Sequence, residues 1–112
     1  MLTSAADFAE LQRSRRARAD TYVALRFKRT DLPETRFGFA TGRKLGGAVV
    51  RNRVRRRLRS ILRGLEPRLV GGWDVLIAVR PAGATVSQAT LGTSVREALQ
   101  SVGVLKGDVT ER

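Results

Sequence analysis

Between Thr21 and Lys28 the chain alternates, with Val23, Leu25 and Phe27 on one side and Ala24, Arg26 and Lys28 on the other. That period of two predicts a strand with one covered face and a basic outer face, and places Tyr22 and Phe27 on opposite sides of it. Residues 30–35, TDLPET, have turn composition, and Pro33 blocks continuation. Arg36 to Thr41 reads as a second strand, expected to pair with the first as a hairpin. From Ala48 to Leu65 the apolar positions Val50, Val54, Leu58, Ile61, Leu62 and Leu65 fall within roughly 120° of a helical projection, which predicts an amphipathic helix ended by Gly64 or Glu66-Pro67. Trp73 to Val79 is a continuous apolar run after Gly71-Gly72, as for an interior strand closed by Arg80-Pro81. Leu91, Val95, Leu99 and Val102 then recur at helical spacing, with a start at Ser87 or Thr90 and Gly103 as terminator.

At the beginning, Ser4 and Asp7 form a short capping signature, and Phe8 and Leu11 share a helical face, so a helix is expected to about Ser14. Arg13, Arg15, Arg16 and Arg18 follow as a basic cluster, read either as a solvated connection or as an RNA contact. The order helix, strand, strand, helix, strand, helix predicts a single α+β domain over residues 1–112, a two-layer α/β sandwich with a small central sheet. Residues 1–3 and 106–112 are expected to fray.

Composition changes the picture through charge. Among 112 residues there are 22 Lys plus Arg and 10 Asp plus Glu, a formal net charge of +12. Such an excess repels itself in a compact domain and calls for a polyanionic partner, nucleic acid first and an acidic membrane surface second. The chain has neither cysteine nor histidine. Disulfides, thiolate or imidazole metal ligands and histidine acid/base chemistry are thereby excluded. The ten acids are scattered singly, so neither a catalytic residue nor a protein-borne metal site is expected. No apolar run approaches a membrane span and no signal pattern opens the chain, which is consistent with a cytoplasmic protein.

The distribution of charge is more telling than its sum. From Thr35 to Leu65 ten Arg or Lys occur without one Asp or Glu. The polar arc of the central helix carries Asn52, Arg53, Arg55, Arg56, Arg59 and Arg63, with Arg57 at its edge and Arg51 near the helix start. Arg51/Arg55, Arg53/Arg57, Arg55/Arg59 and Arg59/Arg63 are like-charged i,i+4 pairs. Together they cost about 1 to 2 kcal/mol before screening. The early arginines also oppose the helix macrodipole. A solvated face normally mixes signs, whereas a phosphate backbone supplies the missing anions.

The segment RFGFATGRKLGGAVVRNRVRRRLRSILR closely resembles the signature of the bacterial ribonuclease P protein component family, including Arg51-Asn52-Arg53. The likeness extends through Phe8 in the first helix and through WDVLIAVRP. It implies a left-handed βαβ crossover, against the usual handedness. It also implies that chemistry resides on a partner RNA, which with Mg²⁺ hydrolyses the bond joining the 5′ leader to precursor tRNA. By position, Arg43, Lys44, Arg51, Asn52, Arg53, Arg55, Arg56 and Arg59 match the RNA-facing motif. Phe8 matches a leader-cleft aromatic able to stack on an unpaired base, and Arg15 and Arg16 are further leader-cleft candidates. Gln12 and Gly42 depart from the common family pattern of an aromatic and a serine. The implied partners are the catalytic RNA and precursor tRNA, with no obligate protein partner and no membrane, and Mg²⁺ is held mainly by the RNA.

The alternative is a ribosomal or other structural RNA-binding protein without a processing role, which shares the charge, size and sandwich. A protein-only nuclease would need convergent carboxylates. A membrane-surface helix would have to withdraw its apolar face from a small core. A helix-turn-helix reader needs a closely preceding helix.

Overall fold

The computed structural model describes residues 17–106 of the chain. Four strands, β1 (Ala17–Ala19), β2 (Val23–Arg29), β3 (Arg36–Ala40) and β4 (Trp73–Val79), and two helices, α1 (Ala48–Leu65) and α2 (Gln88–Val102), make an α+β fold. The helix expected to end near Ser14 lies outside the described residues.

The sheet order is β1-β2-β4-β3, and the expected hairpin between β2 and β3 does not form. Instead β4 lies between them, antiparallel to β2 and parallel to β3. The most apolar strand takes the place with a neighbour on both edges, where its side chains are best covered. The 30–35 loop can then cross the entry to β4 because two glycines stand there. A Cβ on Gly71 would fall 2.0 Å from the Pro33 carbonyl oxygen. The Thr30 N–H donates to the Gly72 oxygen at 2.8 Å, while the Thr35 hydroxyl donates to the Val70 oxygen at 2.5 Å and accepts from the Trp73 N–H at 3.2 Å.

The hairpin that does form joins β1 to β2, in a stretch whose arginines suggested an irregular connection. Asp20 makes its turn: one carboxylate oxygen accepts the N–H groups of Tyr22 and Val23, both at 2.8 Å, and the other accepts the Ser94 hydroxyl at 2.5 Å. Because β2 begins only at Val23, alternation does not reach Tyr22. Tyr22 and Phe27 therefore both pack against the core rather than on opposite sides.

β2 otherwise keeps its predicted alternation. Val23 and Leu25 are fully buried, and the half-buried Phe27 meets Trp73 edge-on with ring centroids 5.9 Å apart. On the opposite face of the sheet, fully buried Asp74 lies level with Lys28 and Arg36 across its two neighbouring strands, and it accepts two hydrogen bonds from the Arg36 guanidinium.

The six apolar positions predicted for α1 all face the core: Val54, Leu58 and Leu62 are buried, and Val50, Ile61 and Leu65 pack beside them. Ser87 caps α2 by accepting the Thr90 N–H at 3.1 Å. Gly103 ends that helix in the left-handed region at φ 90°, letting the Val104 N–H reach the Leu99 oxygen. At the end of the described residues the Lys106 N–H donates to the Arg68 oxygen at 2.9 Å beside a Leu69–Leu105 bridge. The chain passes from β3 through α1 to the parallel β4, so one face of α1 is fixed in the core and the other is presented outward.

Candidate nucleic-acid interface

The approach to α1 is built from glycine and cations. After β3 come Gly42 and a short 3-10 turn, Arg43–Leu45, in which Arg43 and Lys44 are exposed. Gly46 follows at φ 135°, and Gly47 stands at the N-cap with no side chain to cap the helix. No acidic residue occupies the first turn. The first N–H groups of the helix consequently have neither a capping side chain nor a carboxylate, an arrangement receptive to anions.

Four of the predicted residues converge. Asn52, Arg55, Arg56 and Arg59 line one open concavity of about 520 Å³ together with Val49. Val49 is 78% exposed. Sequence reasoning missed it, although its place just outside the apolar arc of α1 was the available signal.

Arg55 holds this arrangement in register. Its guanidinium donates to the hydroxyl of Thr41, just beyond β3, and to the side-chain oxygen of Asn52. Arginine has only donors, so the amide of Asn52 must turn its oxygen inward and its NH₂ outward. Arg55 was expected to neutralise phosphate; its bonds make it also the brace between the sheet and the polar face of α1. Thr41 carried no sequence signal for that part.

The remaining members are spread around the helix. Arg53 and Arg56 border a second concavity with Arg57 and Gln88, where Arg57 donates to the Val86 oxygen at 3.0 Å. Arg51 is half-buried, and the Nε–H groups of Arg51 and Arg53 are buried without a hydrogen-bond partner, which adds to the cost of this face. Arg43, Lys44 and Arg51 do not line the concavity around Asn52. Phe8, Arg15 and Arg16, the leader-cleft candidates, lie outside the described residues. Arg18 stands exposed on β1.

Among the described residues no three acidic side chains gather as a metal site. Asp74 is bound by Arg36, and Asp20 is consumed by its turn. Burial opposes the charge of Asp20, but the Ser94 hydroxyl, the N–H groups of Val23 and Tyr22 and the charge of Arg18 outweigh it, so its pKa lies below the ordinary carboxylate value. No helix among the described residues is long and apolar enough to cross a membrane.

Comparison with known proteins is consistent with this arrangement. The family model for Ribonuclease P matches residues 1–103. A ribonuclease P protein component of Roseiflexus sp. (strain RS-1) is 48% identical over 73 residues, 64% of this chain and 60% of that protein. One of Acidothermus cellulolyticus is 38% identical over 92 residues, covering 80% of this chain and 77% of that one. The chain thus spans about three-fifths of the length of the curated relative it matches at 48% identity. Among solved structures, the RNase P protein of Staphylococcus aureus superposes with a TM-score of 0.85 at 19% identity over 94% of this chain and 96% of that one. That of Thermotoga maritima gives 0.79 at 22% identity over 85% and 90%.

Proposed function

The chain belongs to the ribonuclease P protein family, and on that premise we propose that it binds the catalytic RNA of ribonuclease P through α1 and assists Mg²⁺-dependent removal of the 5′ leader from precursor tRNA. The observation that carries this reading is the convergence of Asn52, Arg55, Arg56 and Arg59 on one open face of a helix whose other face is locked in the core. No acid lies between Thr35 and Leu65 to neutralise that face. Bound RNA would reverse the like-charge repulsion along α1 into attraction and release counterions as it docks.

The roles divide by chemistry. Arg56 and Arg59, exposed and free of internal hydrogen bonds among the described residues, take phosphate oxygens, where the planar fork permits two-point contact. Asn52 turns its two N–H donors to an acceptor on the RNA because Arg55 holds its oxygen. Val49 offers an apolar contact to a sugar or base edge beside them. Arg43 and Lys44 extend the positive field along the approach to the helix, and the uncapped first turn of α1 adds backbone donors. A phosphodiester needs charge stabilisation and an activated water to be hydrolysed; in this reading Mg²⁺ held by the RNA supplies both, and the acids of the protein take no part. Leader contact by Phe8, Arg15 and Arg16 belongs to the same proposal by family resemblance.

Reconstitution tests the reading. The purified chain, added to a bacterial ribonuclease P RNA at low millimolar Mg²⁺, is expected to raise the rate of leader removal from labelled precursor tRNA. An unchanged rate, with tight binding to ribosomal RNA instead, would establish the structural RNA-binding alternative.

A further inference from the structure

A groove lies further along α1 on the same side as Asn52, between the last turns of the helix and β3. Its floor is apolar, built from Phe37 and Phe39 of β3, Leu62 of α1 and Leu69 beyond it. Its rim carries Arg59, Arg63 and Glu66, and its volume is about 380 Å³. That volume is at the small end for ligand sites, the scale of one ring system rather than of a helix. Phe37 is buried but Phe39 is only half-buried, so an aromatic ring is left partly uncovered where α1 ends. Arg59 and Arg63 are exposed and make no hydrogen bond or ion pair among the described residues. Among the described residues β3 is an edge strand, so alternate N–H and C=O groups along it point away from β4.

An apolar floor with an aromatic ring, a cationic rim and a row of backbone donors and acceptors matches the three parts of an unpaired nucleotide. These are a π-face to stack, a phosphate to neutralise and a base edge to hydrogen-bond. Arg59 lines both this groove and the concavity around Asn52, so one RNA strand crossing α1 at Arg59 reaches both. Resting on the RNA-binding reading above, we infer that the groove between α1 and β3 receives a single unstacked base of the catalytic RNA. Phe39 stacks on that base, and Arg63 contacts its flanking phosphate. A peptide strand added to the edge of β3 would also cover the groove, but with two cations against one carboxylate on the rim, and with the Arg59 link to the basic face, a polyanion fits better.

The test measures binding of the full chain to a ribonuclease P RNA across a salt series, for the unaltered protein and for Phe39→Leu, Arg63→Gln and Arg56→Ala. Phe39→Leu is expected to weaken binding about 10-fold with the salt slope unchanged, because it removes stacking and no charge. Arg63→Gln is expected to weaken binding about 3-fold or more and to reduce the slope by about 1. Should Phe39→Leu fail to fold, the exposed Arg63 decides the matter alone. Unaltered affinity in the groove variants while Arg56→Ala binds weakly overturns the groove assignment and leaves the broader reading standing. A loss confined to precursor tRNA affinity, or a change only in self-association by sedimentation, also overturns it in favour of a leader or a second copy. Failure of the unaltered chain to bind the RNA overturns both.

Discussion

The Arg55 guanidinium donates to the side-chain oxygen of Asn52, three residues earlier on the same helical face. An exposed amide can ordinarily turn either end outward, but one facing an arginine cannot, since its NH₂ would meet only donors. Asn52 is thereby fixed as a donor toward any docked RNA. Asn52→Asp keeps the acceptor for Arg55 but replaces the outward NH₂ with a carboxylate oxygen. It is expected to lower affinity for a ribonuclease P RNA at least 10-fold, and by more than Asn52→Ala does. Equal losses in filter binding would show that the orientation of the amide is immaterial.

Arg56 and Arg59 carry charge outward and make no internal hydrogen bond among the described residues. Changing either to Ala should weaken RNA binding while leaving the thermal midpoint unchanged or slightly raised, because Arg59 has like-charged neighbours at Arg55 and Arg63. With about five to seven phosphates contacted, log K for the unaltered chain should fall with log[salt] at a slope of about −4 to −6. A flat salt response would contradict the electrostatic reading. Arg55→Ala is expected to behave differently, losing stability as well as affinity, since it also releases Thr41.

Leu58 faces the opposite way and is fully buried among the residues of the core. Leu58→Ala should cost about 2 to 5 kcal/mol of stability, read by urea denaturation. RNA affinity measured under conditions where the variant remains folded should stay close to that of the unaltered protein, which separates the two faces of α1.

Asp20 couples stability to pH. Its carboxylate holds the β1–β2 turn and Ser94 of α2, and its pKa in the folded chain lies below the ordinary value of 3.8. A depressed pKa means that its contribution is fully present above the unfolded value and disappears as the pH falls through the folded one. The thermal midpoint is therefore expected to drop on acidification below about pH 4. Asp20→Asn should be less stable at neutral pH and should lose part of that acid dependence. Parallel curves for the two proteins between pH 5 and 2 would exclude the coupling.

Much of this protein was legible one element at a time. The bounds of α1 and β4 and the core face of α1 follow from periodicities and end signals spanning a few residues, whereas the choice of Ser87 over Thr90 as the start of α2 came from the structure. The cationic stripe was equally plain, since charge is a property of residue type. Thr41 and Val49 were not, because one acts through a partner 14 residues away and the other looks like one more apolar residue.

What the sequence by itself determined is the kind of surface the chain presents: an acid-free basic face on a helix whose apolar side must be buried, in a chain lacking cysteine and histidine. Only the tertiary structure decided which strands are neighbours. Pairing of β2 with β3 was the local solution, yet the more apolar β4 displaces it from 33 or more residues further along, because central placement covers its side chains and the glycines at 71 and 72 let the crossing loop pass. The same choice leaves β3 at the edge beside α1, opening the groove at Phe39 and bringing Thr41 within reach of Arg55. Burial of apolar surface is gained wherever the whole chain can best provide it, and no local pattern reports that sum.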